Sequence, residues 1–251
     1  MIEGDRWLGS VLGCPAFRVS MAPDGSGQSI LLSPQDLCES AQSGNAFFYA
    51  KVPTTRLDQA RLLNAAGFVI ADVNVTFERE PAMLPAETVN QPATIREAAP
   101  GDFQAALDIA ATCFVYSRFH LDPLISKPRA NAVKRAWIDS YCQRRRGECL
   151  VVAELDGRVV GFNAIQTVTA NGGTVRIIDL IGVHTSSQGR GVGRQLVNHF
   201  VHSSTGRAAR VRVGTQAANI PSMRLYEACG FRVVGTTYVL HAHVRGGEVA
   251  Q

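Results

Sequence analysis

The sequence lacks the features that mark secreted, membrane-spanning and metal-binding proteins. Its six cysteines are scattered without a CxxC pair, so they predict small buried side chains and no metal site. No apolar stretch reaches the roughly 18 residues that a membrane helix needs. The acidic start at residues 1–6 also lacks the basic, then apolar pattern of a secretory signal. We therefore expect a cytoplasmic protein with no membrane partner.

Lysine is scarce as well. Lys51, Lys127 and Lys134 are the only lysines, and every other basic residue is an arginine. The formal net charge of the 251-residue chain is only +4. Because arginine suits bidentate binding of phosphate, this bias favours a phosphate-bearing ligand over a nucleic-acid partner. The composition, 46% hydrophobic and 18% charged, is that of a globular protein.

Proline divides the chain. Pro81, Pro85 and Pro92 fall in a stretch without periodicity, which predicts a linker. The predicted division is an N-terminal lobe at 1–80, a linker at 81–94, a larger domain at 95–245 and a tail at 246–251. Within the larger domain, helical spacing is followed by strand patterns and then by alternating helices and strands. This order predicts an α/β (α+β) fold, a mixed central sheet flanked by helices.

The elements predicted for the larger domain can be given in order. A helix begins at 99–102 and a second covers 129–143. Strands follow at 149–155, 159–169 and 175–183, with Asp156 and Gly157 as a hairpin turn between the first two. The remaining elements are a helix at 192–202, a strand at 209–216, a helix at 220–229 and a strand at 231–243.

The N-terminal lobe contains a segment that is similar in sequence to the final β-α-β unit. Residues 61–68 align with residues 224–231 at a constant offset of 163. Extending this offset places strand 47–52 over the strand at 210–215, and strand 69–77 over 232–240. The alternative is that any helix ending in Gly-Phe before a strand resembles another, because glycine is a common helix C-cap. Either way the copy has lost its chemistry, since Leu63 stands where Tyr226 would be, and we expect a scaffold that shapes the acceptor pocket.

A glycine-rich segment lies between a predicted strand and a predicted helix. It runs Gln188, Gly189, Arg190, Gly191, Val192, Gly193, with Arg194 next. Glycines allow a backbone to approach a ligand closely, and the free amides of a helix N-terminus can bind a diphosphate. Alone the segment is weak evidence. It lacks the Lys-Ser/Thr ending of a nucleoside-triphosphate loop, and no acidic residue follows as in a dinucleotide fingerprint.

A second element is the predicted helix from Asn219 to Gly230. Pro221 suits its first turn and Gly230 its C-cap. Asn219, Ser222 and Tyr226 then fall on one face of the helix.

Together the two elements resemble the GNAT superfamily of acyl-CoA N-acyltransferases, over about residues 93–245. The resemblance implies the GNAT fold, acetyl-CoA or another acyl-CoA as co-substrate, no metal, and Tyr226 as the acid that protonates the departing CoA thiolate. It also implies a set of CoA-binding residues: Ile181, Gly182, Val183, Gln188, Gly189, Arg190, Gly191, Val192, Gly193, Arg194, Asn219, Ser222 and Tyr226.

A narrower resemblance lies in residues 113–120, 137–138 and 214–219. These segments are similar to GNAT enzymes that acetylate the 4-amino group of a dTDP-linked amino-dideoxy sugar (dTDP-fucosamine N-acetyltransferases). The resemblance implies a nucleotide-sugar acceptor in surface glycan or lipopolysaccharide synthesis, and homodimers are a further expectation. The acceptor residues that follow are Ser117, Arg118, Phe119, His120, Asp179, Thr215 and Gln216, with Arg118 meeting a nucleotide phosphate.

Three questions stay open at this level. Candidate general bases are Asp179, His184 and His120, and a chain of water molecules is the alternative. The acceptor amine can instead belong to another small molecule or to a protein. A CoA-binding sensor without catalysis is the non-enzyme alternative, although the pairing of Asn219 with Tyr226 argues for chemistry.

Overall fold

The computed structural model describes residues 1–21, 32–42, 44–81, 93–170 and 172–250. Within these ranges the first six strands are β1 (Ile2–Gly4), β2 (Ala16–Val19), β3 (Ala46–Pro53), β4 (Val69–Arg79), β5 (Thr94–Glu97) and β6 (Cys149–Leu155). The remaining strands are β7 (Arg158–Ala170), β8 (Gly173–Val183), β9 (Arg210–Gln216), β10 (Arg232–Arg245) and β11 (Glu248–Ala250).

The helices lie between these strands. They are α1 (Arg6–Leu12), α2 (Pro34–Ser40), α3 (Leu57–Ala65), α4 (Phe103–Thr112), α5 (Arg118–Leu121), α6 (Lys127–Cys142), α7 (Val192–Ser203) and α8 (Ile220–Ala228). Two short 3₁₀ turns, Pro100–Asp102 and Thr185–Ser187, precede α4 and the segment leading to α7. None of the described helices is long and apolar enough to cross a membrane.

The strands of the described residues form one mixed sheet in the order β1-β2-β3-β10-β4-β9-β8-β7-β6-β5, with β11 paired to β10. Helices cover both faces. On one face α7 and α8 bury Leu196, Phe200 and Tyr226 against β4, β8 and β9. On the other, α4 and α6 bury Ile109 and Ile138 against β6, β7 and β8. A mixed sheet flanked by helices is therefore confirmed.

Most elements of the second half were predicted within three residues. The hairpin turn is confirmed, because Asp156 and Gly157 both have positive φ, 51° and 71°. Neither β5 nor α5 was predicted. The predicted tail at 246–251 is wrong in part, since β11 within it pairs with β10. Of the predicted linker, residues 82–92 lie outside the described residues.

The repeat in the N-terminal lobe is confirmed at the level of whole elements. Helix α3 spans Leu57–Ala65, and adding 163 gives the bounds of α8. Strands β3 and β4 correspond in the same way to β9 and β10. The copy also reaches further towards the N-terminus than the sequence indicated, because β2 pairs in parallel with β3 as β8 does with β9.

The two copies are related by an approximate twofold axis through the sheet. Asn74 of β4 faces Thr237 of β10, and these two residues are 163 apart, so this pair lies on the axis. Each of the two strands also carries a β-bulge. The extra residue is Ala71 in β4 and Val234 in β10, and these two residues are again 163 apart. Each copy thus inserts its last strand into the other, and β4 lies between β9 and β10. The lobe at 1–80 and the domain at 95–245 share one sheet.

Strands β8 and β9 separate after a short parallel contact. They pair only from Val175 to Ile178 on β8, whereas β8 continues to Val183. At the separation point β8 carries a bulge, with Asp179 as the extra residue opposite β7. Strand β9 beyond this point stays paired with β4, as far as Gln216 opposite Asn74. A gap opens between two central strands.

Because the two segments share strands, a fragment of residues 82–251 is expected not to fold by itself. It loses β4 from between β9 and β10, which leaves unpaired backbone groups in the middle of the sheet. Circular dichroism should show no cooperative thermal transition for the fragment, and residues 1–81 added in trans should restore one. A sharp transition of the lone fragment close to that of the full chain would contradict the shared sheet.

Candidate active site

The segment after β8 is built to leave backbone amides free. Gly189 and Gly191 have φ of 74° and 84°, a region that favours glycine. Gly191 is the N-cap of α7, and its carbonyl oxygen accepts the first hydrogen bond of the helix, from Gln195 N. By helix geometry the amides of Val192 and Gly193 have no intrahelical acceptor. These N–H groups, with the helix dipole, favour binding of an anion.

The gap between β8 and β9 also presents amides that do not pair with β7. His184 N donates to Val160 O of β7 at 2.8 Å. Because alternate residues of an antiparallel strand direct their N–H groups to opposite sides, the amides of Ile181 and Val183 point away from β7, towards the gap. They can donate to an extended ligand that occupies the gap.

Two cavities adjoin at this gap. The first, about 490 Å³, is lined by β8, the glycine-rich segment and α8. The second, about 390 Å³, lies between β8, β9, β4 and α6. Residues common to both cavities mark their junction: Phe114, Ser117, Ile181, Gln216, Asn219, Ser222 and Tyr226.

Nine of the predicted CoA-binding residues line the first cavity, namely Ile181, Gly182, Val183, Gln188, Gly189, Gly193, Asn219, Ser222 and Tyr226. Arg190, Gly191, Val192 and Arg194 do not. The Val192 side chain is 1% exposed and packs in the core, so only its backbone amide can meet a ligand. Arg190 and Arg194 are exposed.

Helix α8 brings its functional face to the junction. The Asn219 side chain caps the helix, accepting from Ser222 N at 3.3 Å, a role that the sequence analysis did not assign. Tyr226 is 2% exposed and packs on Phe77 and Phe231. Burial raises the pKa of Tyr226 well above its usual value, so the phenol stays protonated at neutral pH.

A cysteine also faces the first cavity, beside the gap. A Cβ at Gly182 would lie 2.8 Å from Cys113 Sγ, so this close packing requires glycine. Burial raises the pKa of Cys113 to about 12. The thiol therefore stays protonated and is a poor nucleophile at neutral pH.

The second cavity is lined in part by the N-terminal lobe, as expected of a scaffold, and the lobe also supplies two charged residues that the sequence did not predict. Lys51 of β3 and Asp72 of β4 flank Val239 of β10 in register, and all three residues line the cavity. Lys134 of α6 joins them, 7% exposed, with Nζ about 5 Å from the ring centroids of Phe114 and Trp137. Burial lowers the pKa of Lys134 to about 8.

Arg118 lies in the same cavity and is fixed from several sides. Its guanidinium carbon is 4.3 Å from the ring centroids of Tyr49 and Phe119. Arg118 Nη1 donates to His241 Nε2 at 3.1 Å, and His241 Nδ1 donates to Asp122 at 2.6 Å. Burial lowers the pKa of Arg118 to about 10, so it keeps its charge at neutral pH.

The cations of this cavity differ in whether a carboxylate balances them. Arg146 pairs with Asp179 and Arg212 with Glu78. Among the described residues, no carboxylate lies within ion-pair distance of Lys51, Arg118 or Lys134. Lys51, Arg118 and Lys134 are therefore placed to bind an anionic ligand.

Asp179 lines the cavity, but its carboxylate is fully engaged. Trp137, Tyr141, Arg146 and Gln166 all donate to it, at 2.7 to 3.2 Å. Burial alone would raise the pKa of Asp179, yet the bonds from Arg146 and Trp137 lower it overall. This arrangement argues against Asp179 as the general base, because an engaged carboxylate of low pKa is a weak base.

The other predicted bases lie at different places. His184 is exposed, bonds Ser186 and lines neither cavity. His120 also lines neither, although its ring contacts Ser117, which lines both. Burial raises the pKa of Asp72 to about 6, so this carboxylate, absent from the sequence-based candidates, is ionised at neutral pH. Of the remaining predicted acceptor residues, Phe119, Thr215 and Gln216 all line the second cavity.

The comparisons with known proteins agree with this geometry. The sequence profile of the Acetyltransferase (GNAT) family matches residues 105–231. The chain belongs to this family and has its fold, a mixed sheet flanked by helices. A GCN5-related N-acetyltransferase from Sphaerobacter thermophilus shares the fold with a TM-score of 0.64 and 16% identity, over 97% of this chain and 76% of that one.

Two curated relatives are similar in sequence. The spore coat polysaccharide biosynthesis protein SpsD of Bacillus subtilis is 29% identical over 57% of this chain, and the match spans about half, 48%, of the length of SpsD. A mycothiol acetyltransferase from Acidothermus cellulolyticus is 26% identical over 93% of this chain and 72% of its own length. The first relative is named for polysaccharide biosynthesis. The second match covers both the N-terminal lobe and the larger domain of this chain.

We predict that Asp179 stabilises the fold. Asp179→Asn should lower the free energy of unfolding by about 1–3 kcal/mol, because Arg146 loses its partner and buried donors lose acceptors. The matched control is Asp139→Asn on the exposed surface of α6. The ion pair of Asp139 with Arg145, at 3.5 Å, should contribute under about 0.5 kcal/mol to the free energy of unfolding.

The pH dependence of this loss has a defined sign. The folded-state pKa of Asp179 is lowered, so its stabilisation is present above the unfolded pKa and disappears as pH falls through the folded pKa. Urea titrations of both variants at pH 7 and near pH 3 measure the effect. Equal losses for Asp179→Asn and Asp139→Asn at pH 7 would contradict a structural role for Asp179.

Proposed function

We propose that the protein transfers an acetyl group from acetyl-CoA to the amino group of a dTDP-linked amino-dideoxy sugar. The observation that carries the proposal is the junction of two cavities at Tyr226. One cavity has the free amides and glycines that suit a CoA diphosphate and its extended arm. The other has unbalanced cations that suit an anionic acceptor.

On the donor side, the amides of Val192 and Gly193 at the start of α7 bind the diphosphate. The pantetheine arm lies in the gap between β8 and β9, where Ile181 and Val183 offer N–H groups. The Val183 amide stabilises negative charge on the thioester oxygen during attack, since fixed donors act where charge develops.

On the acceptor side, Lys51, Arg118 and Lys134 bind the nucleotide diphosphate. Arginine and lysine near aromatic rings also suit a planar base and sugar above them. Asp72, ionised at neutral pH, accepts from the sugar hydroxyls or the ammonium of the acceptor. The relation to a protein of spore coat polysaccharide biosynthesis supports a sugar acceptor.

The reaction is direct attack of the amine nitrogen on the thioester carbonyl carbon. A C–N bond forms, the C–S bond breaks, and the attacking nitrogen loses one proton to a base, while Tyr226 gives its proton to the departing thiolate and takes another from water. The raised pKa of Tyr226 keeps that proton available at neutral pH. The protonated Cys113 argues against an acyl-enzyme, so holding both substrates together supplies much of the acceleration. A homodimer and a cytoplasmic location stay predictions.

Tyr226→Phe is expected to lower kcat about 100-fold, because the thiolate then leaves without a proton. The KM for acetyl-CoA should change less than threefold, since the ring still packs on Phe77. Steady-state release of free CoA thiol measures both constants. Tyr238→Phe, which removes a hydroxyl from β10, is the control and should behave as the parent. An unchanged kcat in Tyr226→Phe would remove Tyr226 from the chemistry.

Arg118→Ala is expected to raise the KM for a dTDP-linked amino sugar about 10- to 100-fold, the usual cost of a lost charged hydrogen bond. The same amino sugar without the nucleotide should show no such change, and neither should acetyl-CoA. Arg118→Lys keeps the charge, so its KM for the dTDP-linked amino sugar should lie between those of the parent and of Arg118→Ala. An unchanged acceptor KM in Arg118→Ala would remove the phosphate contact.

A panel of amines tests the acceptor class itself. The panel contains dTDP-linked amino sugars, unlinked amino sugars, amino acids and peptides, each with acetyl-CoA. Turnover fastest with an amine that lacks a phosphate would point to another acceptor. Binding of CoA without turnover of any amine would favour a CoA-binding sensor.

A further inference from the structure

A hydrogen-bonded chain of three side chains leads away from the junction of the cavities. Ser117 Oγ lies 2.6 Å from His120 Nδ1, and His120 Nε2 lies 2.8 Å from Asn131 Oδ1 of α6. Ser117 is 3% exposed, yet it lines both cavities. The chain therefore begins at the point where donor and acceptor meet.

The partners fix the direction of these bonds. An amide oxygen only accepts, so His120 Nε2 carries the hydrogen that Asn131 Oδ1 receives. In the neutral imidazole Nδ1 is then the acceptor, and Ser117 donates its hydroxyl hydrogen to it. The lone pairs of Ser117 Oγ remain free to accept from a ligand in the cavity.

The position of Ser117 before α5 gives no competing reason for this bond. Serine at an N-cap usually accepts from a backbone amide of the first turn, but the Ser117 side chain makes no such bond. The backbone oxygen of Ser117 receives His120 N and Leu121 N instead. The hydroxyl is thus committed to the imidazole.

We propose that Ser117, His120 and Asn131 form a proton relay that removes the proton of the acceptor amine. As the nitrogen bonds the thioester carbon, it gives one proton to Ser117 Oγ, and Ser117 gives its own proton to His120 Nδ1. His120 becomes an imidazolium held by Asn131 and later releases a proton to solvent. The C–S bond breaks and the thiolate takes the Tyr226 proton, which water replaces.

The groups around His120 keep its imidazole neutral and able to accept a proton. Burial lowers its pKa, the bond to Asn131 raises it, and the charges of Lys134 and Lys127 lower it. The net pKa lies below its usual 6.5, so the imidazole is neutral at pH 7 and able to accept. His120 is half-buried, which gives the relay an outlet to water.

The relay rests on the proposed amine acetylation, and kinetics of the full chain test it. Ser117→Ala and His120→Asn should each lower kcat about 100-fold, with both KM values within threefold. The double variant should be no slower than either single variant, because the residues act as one unit. Ser117→Thr keeps the hydroxyl and should retain kcat within about fivefold. Circular dichroism and acetyl-CoA titration check that each variant folds.

The pH profile separates the relay from other bases. In the parent, kcat should fall as pH drops through a midpoint below 6.5, when His120 becomes protonated, and His120→Asn should lose this limb. Asp72→Asn should keep it, and Lys134→Met should keep it with a higher midpoint, because the charge of Lys134 lowers the pKa of His120. A limb that disappears in Asp72→Asn but persists in His120→Asn would overturn the relay in favour of Asp72. Wild-type kcat in Ser117→Ala, or multiplied losses in the double variant, would also overturn it.

Failure of the relay and failure of the proposed acceptor give different results. If the amine panel shows turnover of an amine other than a nucleotide sugar, the proposed acceptor is wrong, and the same variants test the relay on that amine. If no amine reacts, ¹⁵N NMR of the imidazoles decides. The relay requires the Nε2–H tautomer for the signal that His120→Asn removes, and an Nδ1–H tautomer there would overturn it.

Discussion

The separation of β8 from β9 is the constraint on which the rest of this structure depends. Two parallel strands in the middle of a sheet ordinarily stay paired, because unpaired backbone groups are costly when buried. Here pairing stops after Ile178, and the Asp179 bulge marks the point. Asp179 is held there by side chains of α6 and β7 and by Arg146, which fixes the start of the gap.

Several features of the site follow from this gap. It turns the Ile181 and Val183 amides away from β7, and it lies where the first cavity meets the second, with Tyr226 of α8 lining both. The gap stays open because β9 is held from its other side by β4. The N-terminal copy thus supports the gap through β4 and supplies Lys51 and Asp72 to the lining of the second cavity.

What the sequence could predict follows from how local each signal is. The hairpin at Asp156–Gly157, the glycine-rich segment and α8 depend on neighbours within a few residues, and their positions were predicted well. The offset of 163 likewise found α3 and β4. The interleaving of the two copies was not predictable, because a repeat in sequence does not say which strands pair. Lys51 and Asp72 were missed for the same reason, as they reach the cavity only through the sheet order.

The base candidates show the same limit. Asp179 and His120 were both named from residue type and position, but their partners decide their chemistry. Arg146 and two ring donors engage Asp179, whereas Asn131 leaves one nitrogen of His120 able to accept from Ser117. Those partners lie 11 to 42 residues away along the chain. No local pattern distinguishes an engaged carboxylate from a free base.

Hydrogen–deuterium exchange with and without acetyl-CoA tests the donor site most directly. We predict slower exchange in peptides that contain Ile181, Val183 and the amides of residues 189–193, because a bound CoA occupies the gap and the start of α7. Peptides from the matching N-terminal strands β2 and β3 should not change. Protection confined to the N-terminal copy, or no protection at β8 under saturating acetyl-CoA, would contradict a donor site between β8 and β9.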